Sequence, residues 1–181
     1  MIYFDNAATT KNKPTEVIDA VVNAMKNFGN SSRGVHEESL SADRIVFETR
    51  KKLAKMFNVG NSRQVVFTKN ATESLNIAIN GLFLENDHII TSVAEHNSVL
   101  RPINYLKEKG VEVSYIGVSE NGVINFDEIP ALIKANTKAI VITHASNVTG
   151  NITDLKKYGD FCRNNNLLFV VDASQTAGAF N

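Results

Sequence analysis

The sequence predicts an α/β fold with a mostly parallel sheet and helices on both faces. Two observations carry this prediction. From about residue 60 onward, short apolar runs rich in β-branched residues alternate with longer segments of helical periodicity, and no internal repeat interrupts the alternation. Parallel strands need a crossover connection, which is usually a helix packed on a sheet face. In such a sheet, ligand-binding groups come from the loops that follow the strands.

Two helices are predicted ahead of this alternating region. Pro14 suits the first turn of the first helix, which ends near Gly29. After a loop rich in serine and glycine, a second helix runs from about His36 to Phe57. Apolar residues recur on one stripe of each helix: Val17, Val21, Val22 and Met25 in the first, and Val46, Leu53 and Phe57 in the second.

The alternating region predicts five strands and four helices between them. The strands are Gln64–Thr68, His88–Ser92, Val111–Val118, Lys138–His144 and Leu167–Asp172. The helices lie near Thr72–Leu84, Ser98–Lys109, Phe126–Ala135 and Thr153–Asn165, the third entered from Asn125.

Composition excludes several classes of function. Nineteen basic residues balance 19 acidic ones over 181 residues, so no global field attracts nucleic acid or an anionic membrane surface. No apolar run approaches the length that spans a bilayer, and we expect a cytoplasmic protein without a membrane partner. Cys162 is the single cysteine, which excludes an internal disulfide and a multi-cysteine metal site. It shares a helical face with Leu155 and Tyr158, so we interpret it as a small buried hydrophobe. No metal site is predicted.

Polar residues stand in the predicted loops where a plain connector does not need them. The segment Thr68–Ser74 leaves a strand and opens a helix, whose free N–H groups favour an anion such as phosphate; a simple helix cap is the alternative. His96 follows the next strand and could stack on a flat ring or shuttle a proton, although a lone loop histidine is often only hydrogen-bonded at the surface. Asn147 could donate to a phenolic or carbonyl oxygen, or form an Asx turn before Gly150.

Asp172 ends an apolar strand, with Gln175 close behind it. A carboxylate at the end of a buried strand must be paired, hydrated or facing a cationic ligand, because an isolated buried charge is costly. A pyridinium N–H would meet that need. Pyridoxal 5'-phosphate requires an anion cradle, an acid at the ring nitrogen, a donor near the ring oxygen, a stacking group and a Schiff-base lysine. The loops supply all of these except the lysine.

Five ordered motifs resemble the class V aminotransferase family, and specifically its cysteine desulfurase and selenocysteine lyase branch. They are Tyr3-Phe-Asp-Asn-Ala-Ala-Thr-Thr10, Asn70-Ala-Thr-Glu-Ser74, Glu95-His-Asn-Ser-Val-Leu-Arg-Pro102, Ser146-Asn-Val-Thr-Gly150 and Asp172-Ala-Ser-Gln-Thr-Ala-Gly178. The resemblance runs through the whole chain. It implies a sheet like the large domain of fold-type I PLP-dependent transferases, truncated.

The resemblance also implies a role for each matching residue. Ala71 and Thr72 would hold the phosphate, His96 would stack on the ring as the catalytic residue, and Asp172 would pair with the ring nitrogen. Asn147 and Gln175 would lie near the ring oxygen. The Arg33-Gly-Val-His36 segment resembles a loop that borders the substrate pocket, so Arg33 and His36 are weaker candidates for substrate contact, with a solvated loop as the alternative.

In this family the Schiff-base lysine and the reactive cysteine lie beyond the Asp-x-x-Gln motif, and neither position is present here. Lys69 adjoins the phosphate loop and is badly placed to substitute. We therefore expect residues 1–181 to be the amino-terminal part of a PLP-binding large domain, with the rest of that domain and a small carboxy-terminal domain absent. The implied reaction removes sulfur or selenium from cysteine or selenocysteine and leaves alanine. The implied partners are a second copy, as a homodimer, and a sulfur-acceptor protein.

The fragment alone is expected to be inactive. Two alternatives remain open at this point: transamination or another lyase reaction with the same cofactor, and a non-catalytic binding or scaffold module that ends naturally at Asn181. The final strand would leave the sheet with an unprotected edge, which favours truncation. We expect exposed apolar surface and association as a consequence.

Overall fold

A computed structural model describes residues 2–31 and 34–179. The chain divides into two compact units, Met1–Phe67 and Thr68–Asn181. No helix among these described residues is long and apolar enough to cross a membrane.

The first unit contains two helices, α1 (Thr15–Asn27) and α2 (Glu37–Met56), followed by a 3₁₀ turn at Ser62–Gln64. Both helices begin and end within a residue or two of their predicted bounds. α2 buries small side chains on one face. By contrast, α1 buries none of its residues, and its apolar stripe is exposed: Val17, Ile18, Val21, Val22 and Met25.

The predicted strand at Gln64–Thr68 is wrong. This segment is a 3₁₀ turn followed by extended backbone that pairs with no described strand. Its apolar side chains remain accessible, with Val66 at 73% and Phe67 at 44% exposure. Alternation of β-branched residues predicts local extension, but a strand also needs a neighbour for its N–H and C=O groups.

The second unit is a parallel four-stranded sheet. Its strands are β1 (His88–Ser92), β2 (Glu112–Ile116), β3 (Thr137–Thr143) and β4 (Leu168–Asp172). They lie in the order β2-β1-β3-β4, and every neighbouring pair is parallel. The other four predicted strands are therefore confirmed, and all their carboxyl ends meet at one edge of the sheet.

One helix precedes the sheet and three lie between its strands: α3 (Ala71–Leu82) comes before β1, followed by α4 (Asn97–Glu108), α5 (Ile129–Leu132) and α6 (Leu155–Asn164). The third is much shorter than predicted. A 3₁₀ turn at Phe126–Glu128 replaces its start, and Ile133 is already extended. Pro130, which lacks an N–H donor, is confined to the first turn of α5.

Alternate residues of the strands enter two separate cores, as the two-residue period of a strand requires. Ile89 and Val141 pack with α3 and α4, in a cluster that includes Leu75, Ile79, Val99 and Ile103. Ile90 and Ile140 pack with α6, in a second cluster that includes Tyr158 and Cys162. Helices thus cover both faces of the sheet, as predicted. Cys162 is buried, also as predicted, and burial raises the pKa of its thiol to about 11.

Candidate functional site

The carboxyl-end edge of the sheet carries the predicted cofactor residues. Each lies in a loop, a helix start or a strand end at this edge: Ala71 and Thr72 open α3, His96 precedes α4, Asn147 follows β3, Asp172 ends β4, and Gln175 lies in the turn after it. For the residues that end or follow β1, β3 and β4, this clustering follows from parallel topology, because parallel strands deliver their following loops to the same side. Ala71 and Thr72 follow no described strand, and the contact of Thr72 with Ser98 joins them to this edge.

The start of α3 has an arrangement that leaves donors available to an anion. The side-chain oxygen of Asn70 accepts a hydrogen bond from the N–H of Glu73 at 2.9 Å, and the Glu73 carboxylate accepts from the N–H of Lys69 at 2.7 Å. This is a reciprocal cap of the helix end. The N–H groups of Ala71 and Thr72 precede the first intrahelical donor, so helical geometry offers them no internal acceptor. Both residues are exposed.

One hydroxyl joins this helix start to the histidine. Ser98 Oγ lies 3.0 Å from Thr72 Oγ1 and 2.7 Å from Nδ1 of His96. The N–H of Ser98 also donates to Nδ1 of His96 at 3.2 Å, which makes His96 the side-chain N-cap of α4. The imidazole is therefore held at one edge, while the residue stays exposed. His96 is therefore hydrogen-bonded, as one of the two alternatives expected, and its stacking on a ring stays a prediction.

Asp172 is buried, at 7% exposure, at the end of β4. Its Oδ1 accepts hydrogen bonds from the N–H of Ser174 at 3.0 Å and from the Ser174 hydroxyl. Its main-chain oxygen accepts from His144 N at 2.9 Å, which ties the end of β4 to the end of β3. The carboxylate is thus supported from one side by local donors, as a buried acid needs.

The turn after β3 is formed by Ser146 and not by Asn147. Ser146 Oγ accepts from the N–H groups of Val148 and Thr149, each at 3.2 Å, and the Ser146 carbonyl accepts from Gly150 at 3.0 Å. The Asx turn considered for Asn147 is therefore replaced by a serine turn. Asn147 is exposed, and Gln175 is half-buried in the turn after β4.

The two weaker candidates belong to the first unit. Arg33 lies outside the described residues. His36 is exposed and precedes α2, where its carbonyl accepts from the N–H groups of Ser39 and Leu40. Its role in substrate contact stays a prediction.

Two residues of this edge were not predicted from the sequence. In the sequence, Ser98 has the properties of an ordinary residue at a helix start. Glu95 belongs to the loop around His96, and no role was predicted for it. Glu95 is buried, and Ser92 Oγ donates to its Oε1 at 2.6 Å. A charged residue within the run Ser92-Val-Ala-Glu95, directly after an apolar strand, is the signal that could have identified it.

The chain is similar to known proteins over nearly all of its length. The sequence model described as Aminotransferase class-V matches residues 2–181. The chain belongs to the class-V aminotransferase family. The class-V assignment accounts for the parallel sheet and for the order of the five motifs along the chain.

Curated class-V relatives include cysteine desulfurases named IscS. The one from Vibrio atlanticus is 38% identical over 184 residues, covering 98% of this chain and 45% of the relative. The one from Buchnera aphidicola (subsp. Baizongia pistaciae) is 36% identical over 187 residues, covering 99% of this chain and 46% of the relative. The chain thus spans about half the length of the curated relatives it matches.

Solved structures agree with the class-V fold. The apo cysteine desulfurase of Thermococcus onnurineus superposes with a TM-score of 0.89 at 35% identity, covering 98% of this chain and 45% of that one. SspA in complex with cysteine superposes with a TM-score of 0.88 at 30% identity, covering 96% of this chain and 51% of that one. The likeness to a fold-type I large domain, expected from the motifs, is confirmed.

Proposed function

We propose that residues 1–181 form the amino-terminal, cofactor-binding part of a PLP-dependent cysteine desulfurase. One observation carries the proposal. Thr72, Ser98 and His96 are linked by hydrogen bonds beside the uncovered first turn of α3, at the same sheet edge that presents the buried Asp172. This edge combines an anion-binding helix start, the imidazole ring of His96 and the carboxyl of Asp172. A phosphorylated pyridine uses all three, so it fits this edge better than a ligand that needs only one of them.

The start of α3 would hold the phosphate. Its N–H groups at Ala71 and Thr72, the Thr72 hydroxyl and the positive end of the helix dipole all favour a bound dianion. Lys69 directly precedes Asn70 and this turn in the sequence. His96 would stack on the ring, because its Nδ1 edge is fixed by Ser98 while the residue stays exposed.

Asp172 would keep the ring nitrogen protonated. Ser174 already supplies two donors to Oδ1, so a cationic N–H would complete the environment of a buried carboxylate. The amides of Asn147 and Gln175 would donate to the ring oxygen. When bound, a protonated PLP ring supplies an electron sink that stabilises negative charge at the substrate's α-carbon.

The substrate class in this proposal is a thiol or selenol amino acid, cysteine or selenocysteine, from which the heteroatom is removed to leave alanine. Support comes from the relatives, which are named as cysteine desulfurases, and from the neighbour solved with cysteine bound. The same proposal places Arg33 and His36 in contact with that substrate. It also includes a homodimer, a sulfur-acceptor protein as partner and a cytoplasmic location.

A Schiff-base lysine would lie beyond residue 181, and residues 1–181 alone would bind PLP only non-covalently. The buried Cys162, whose pKa is raised to about 11 by burial, is not suited to accept sulfur. We therefore expect catalysis to require further sequence, in line with the chain's coverage of about half of its relatives.

The test begins with the reading frame downstream of codon 181. We expect it to encode further strands and a His-Lys pair. With a dithiol such as dithiothreitol added to reduce the released sulfur to sulfide, the protein from the whole frame should convert cysteine to alanine and sulfide in equal amounts, and an Asp172→Asn variant should lose most of this rate. Conversion of added keto acids to amino acids without sulfide would show a transaminase instead. A stop codon at 182 combined with no PLP binding would leave a scaffold module and overturn the proposal.

A further inference from the structure

A second buried carboxyl lies at the same sheet edge as Asp172. Glu95, in the loop after β1, is only 6% exposed. Ser92 Oγ donates to its Oε1 at 2.6 Å, and the main-chain N–H of Thr143 also donates to the carboxyl. Because Ser92 ends β1 and Thr143 ends β3, this side chain joins the carboxyl ends of two neighbouring strands, one residue before His96.

Glu95 reaches its place from the sheet face opposite Asp172. Residues two apart in a strand share a face of the sheet. Ser92 therefore shares the α6 face with Ile90, whereas Asp172 shares with Val170 the face that α3 and α4 cover. The two carboxyls therefore flank the end of β3 from opposite faces. They are close enough that the negative charge of Asp172 contributes to the raised pKa of Glu95.

Two buried oxygens beside this carboxyl have unused hydrogen-bonding capacity. Glu95 Oε2 and Tyr158 Oη are among the buried side-chain atoms of the described residues that lack a hydrogen-bond partner. Tyr158 belongs to α6 and is 2% exposed. Burial, with smaller contributions from the charges of Glu95 and Asp127, raises the pKa of Tyr158 to about 12. Native proteins rarely leave such groups unpartnered without a reason.

Its surroundings favour the protonated form of Glu95. Burial and, to a smaller extent, the charge of Asp172 raise the pKa of Glu95 to about 7, although the bonds from Ser92 and Thr143 oppose the rise. Two titratable groups interact with this carboxyl: Asp172 at the end of β4 and Tyr158 on α6.

A cavity of about 320 Å³ lies next to this sheet edge. Ala94, Thr143 and Tyr158 contribute to its lining, together with the charged Asp154 and Lys157. A single water occupies roughly 30 Å³ of liquid, so the space admits several.

We propose that Glu95 is a positioning residue of the cofactor site: its buried carboxyl bonds the ends of β1 and β3 and so holds the sheet edge that presents His96 and Asp172. The purpose of this positioning rests on the proposed function. The proton-sharing, in which the charge of Asp172 favours a proton on Glu95, does not rest on it, since it is a property of the chain without cofactor.

Carboxyl ¹³C NMR of the cofactor-free chain, labelled at the glutamate side chains and titrated from pH 4 to 9, tests the proton-sharing. We expect one glutamate resonance with a midpoint near pH 7 that disappears in Glu95→Gln. In Asp172→Asn this midpoint should move to lower pH, because a like charge is removed. In the matched control Asp160→Asn, at an exposed site on α6, it should not move. No resonance titrating above pH 6, or a midpoint insensitive to Asp172→Asn, would overturn the inference.

PLP binding by equilibrium dialysis at pH 6 tests the positioning role. Glu95→Gln keeps an acceptor for Ser92 and Thr143 and should bind PLP within about twofold of the wild-type chain, whereas Glu95→Ala loses both bonds and should bind at least about fivefold more weakly. Equal affinity of the alanine variant would overturn the positioning role. Absence of binding by the wild-type chain would overturn the proposed function and the positioning role together, while the NMR result would still decide the proton-sharing.

Discussion

The hydroxyl of Thr72 lies 3.0 Å from the hydroxyl of Ser98, and this contact joins the first turn of α3 to the first turn of α4. Ser98 also holds His96 through its hydroxyl and its N–H. A phosphate at α3 and a ring against His96 would thus be fixed relative to each other by one side chain.

Ser98→Ala removes both contacts at once. We expect the variant to fold normally and to bind PLP about fivefold more weakly, since a net hydrogen bond contributes about 1 kcal/mol. Isothermal titration of the purified chain measures the change. Ser119→Ala, which alters an exposed hydroxyl in the loop after β2, is the matched control and should bind as the wild type does. Unchanged affinity in Ser98→Ala would show that this link does not organise the site.

The ionisation of Glu95 should appear in the pH dependence of stability. Because its pKa is raised from 4.5 to about 7 in the folded state, the folded state binds the proton more tightly than the unfolded state does. Its contribution to stability is therefore complete below about pH 4.5 and is lost as pH rises to about 7, by on the order of 3 kcal/mol.

Urea unfolding at several pH values checks this sign. The free energy of unfolding of the wild-type chain should fall relative to that of Glu95→Gln between about pH 4.5 and 7, and the difference should level off above that range. A difference that grows in the opposite direction would mean that Glu95 is stabilised as a carboxylate.

Cys162 should be inert in the native chain. It is buried on the core-facing side of α6, and its raised pKa leaves almost no thiolate at neutral pH. A chromogenic disulfide reagent should label it slowly under native conditions and rapidly in denaturant. Because Cys162 is the single cysteine, the signal is unambiguous. Complete labelling within seconds at pH 7 would contradict its burial and reopen a role in sulfur transfer.

The exposed stripe of α1 should promote self-association. Val17, Val21 and Met25 lie one turn apart and are all accessible to solvent. Val21→Lys should reduce association by about tenfold or more, whereas Asn23→Lys adds the same charge on the other side of the helix and should not. Light scattering across a concentration series is the measurement. A monomeric wild-type chain at high concentration would exclude this surface as an interface.

Much of the fold could be predicted from the sequence because local patterns and packing agree there. The strands at His88–Ser92 and Leu168–Asp172 were found nearly to the residue. The segment Gln64–Thr68 was not, because pairing depends on a partner that lies elsewhere in a chain. Likewise, Phe126–Glu128 carries a capping pattern but adopts a 3₁₀ turn before the short α5.

The site was predicted as a set of residue types, and the structure adds the groups that connect them. Placing Asp172 and His96 at one sheet edge follows from parallel topology. The bridging hydroxyl of Ser98 and the buried carboxyl of Glu95 depend on side-chain contacts between elements 26 and 48 residues apart along the chain, from Thr72 to Ser98 and from Glu95 to Thr143. Such contacts have no periodic signature in a single sequence.

The central claim is that Asp172 faces a protonated pyridine at this sheet edge, and the PLP affinity of the 181-residue chain tests it most directly. We expect saturable, non-covalent binding that weakens by at least about tenfold in Asp172→Asn, because a charge-assisted hydrogen bond is lost. Asp160→Asn, which removes an exposed carboxylate bonded to Lys156 and Arg163, should bind as the wild type does. Equal PLP affinity of the wild-type and Asp172→Asn chains would contradict the account.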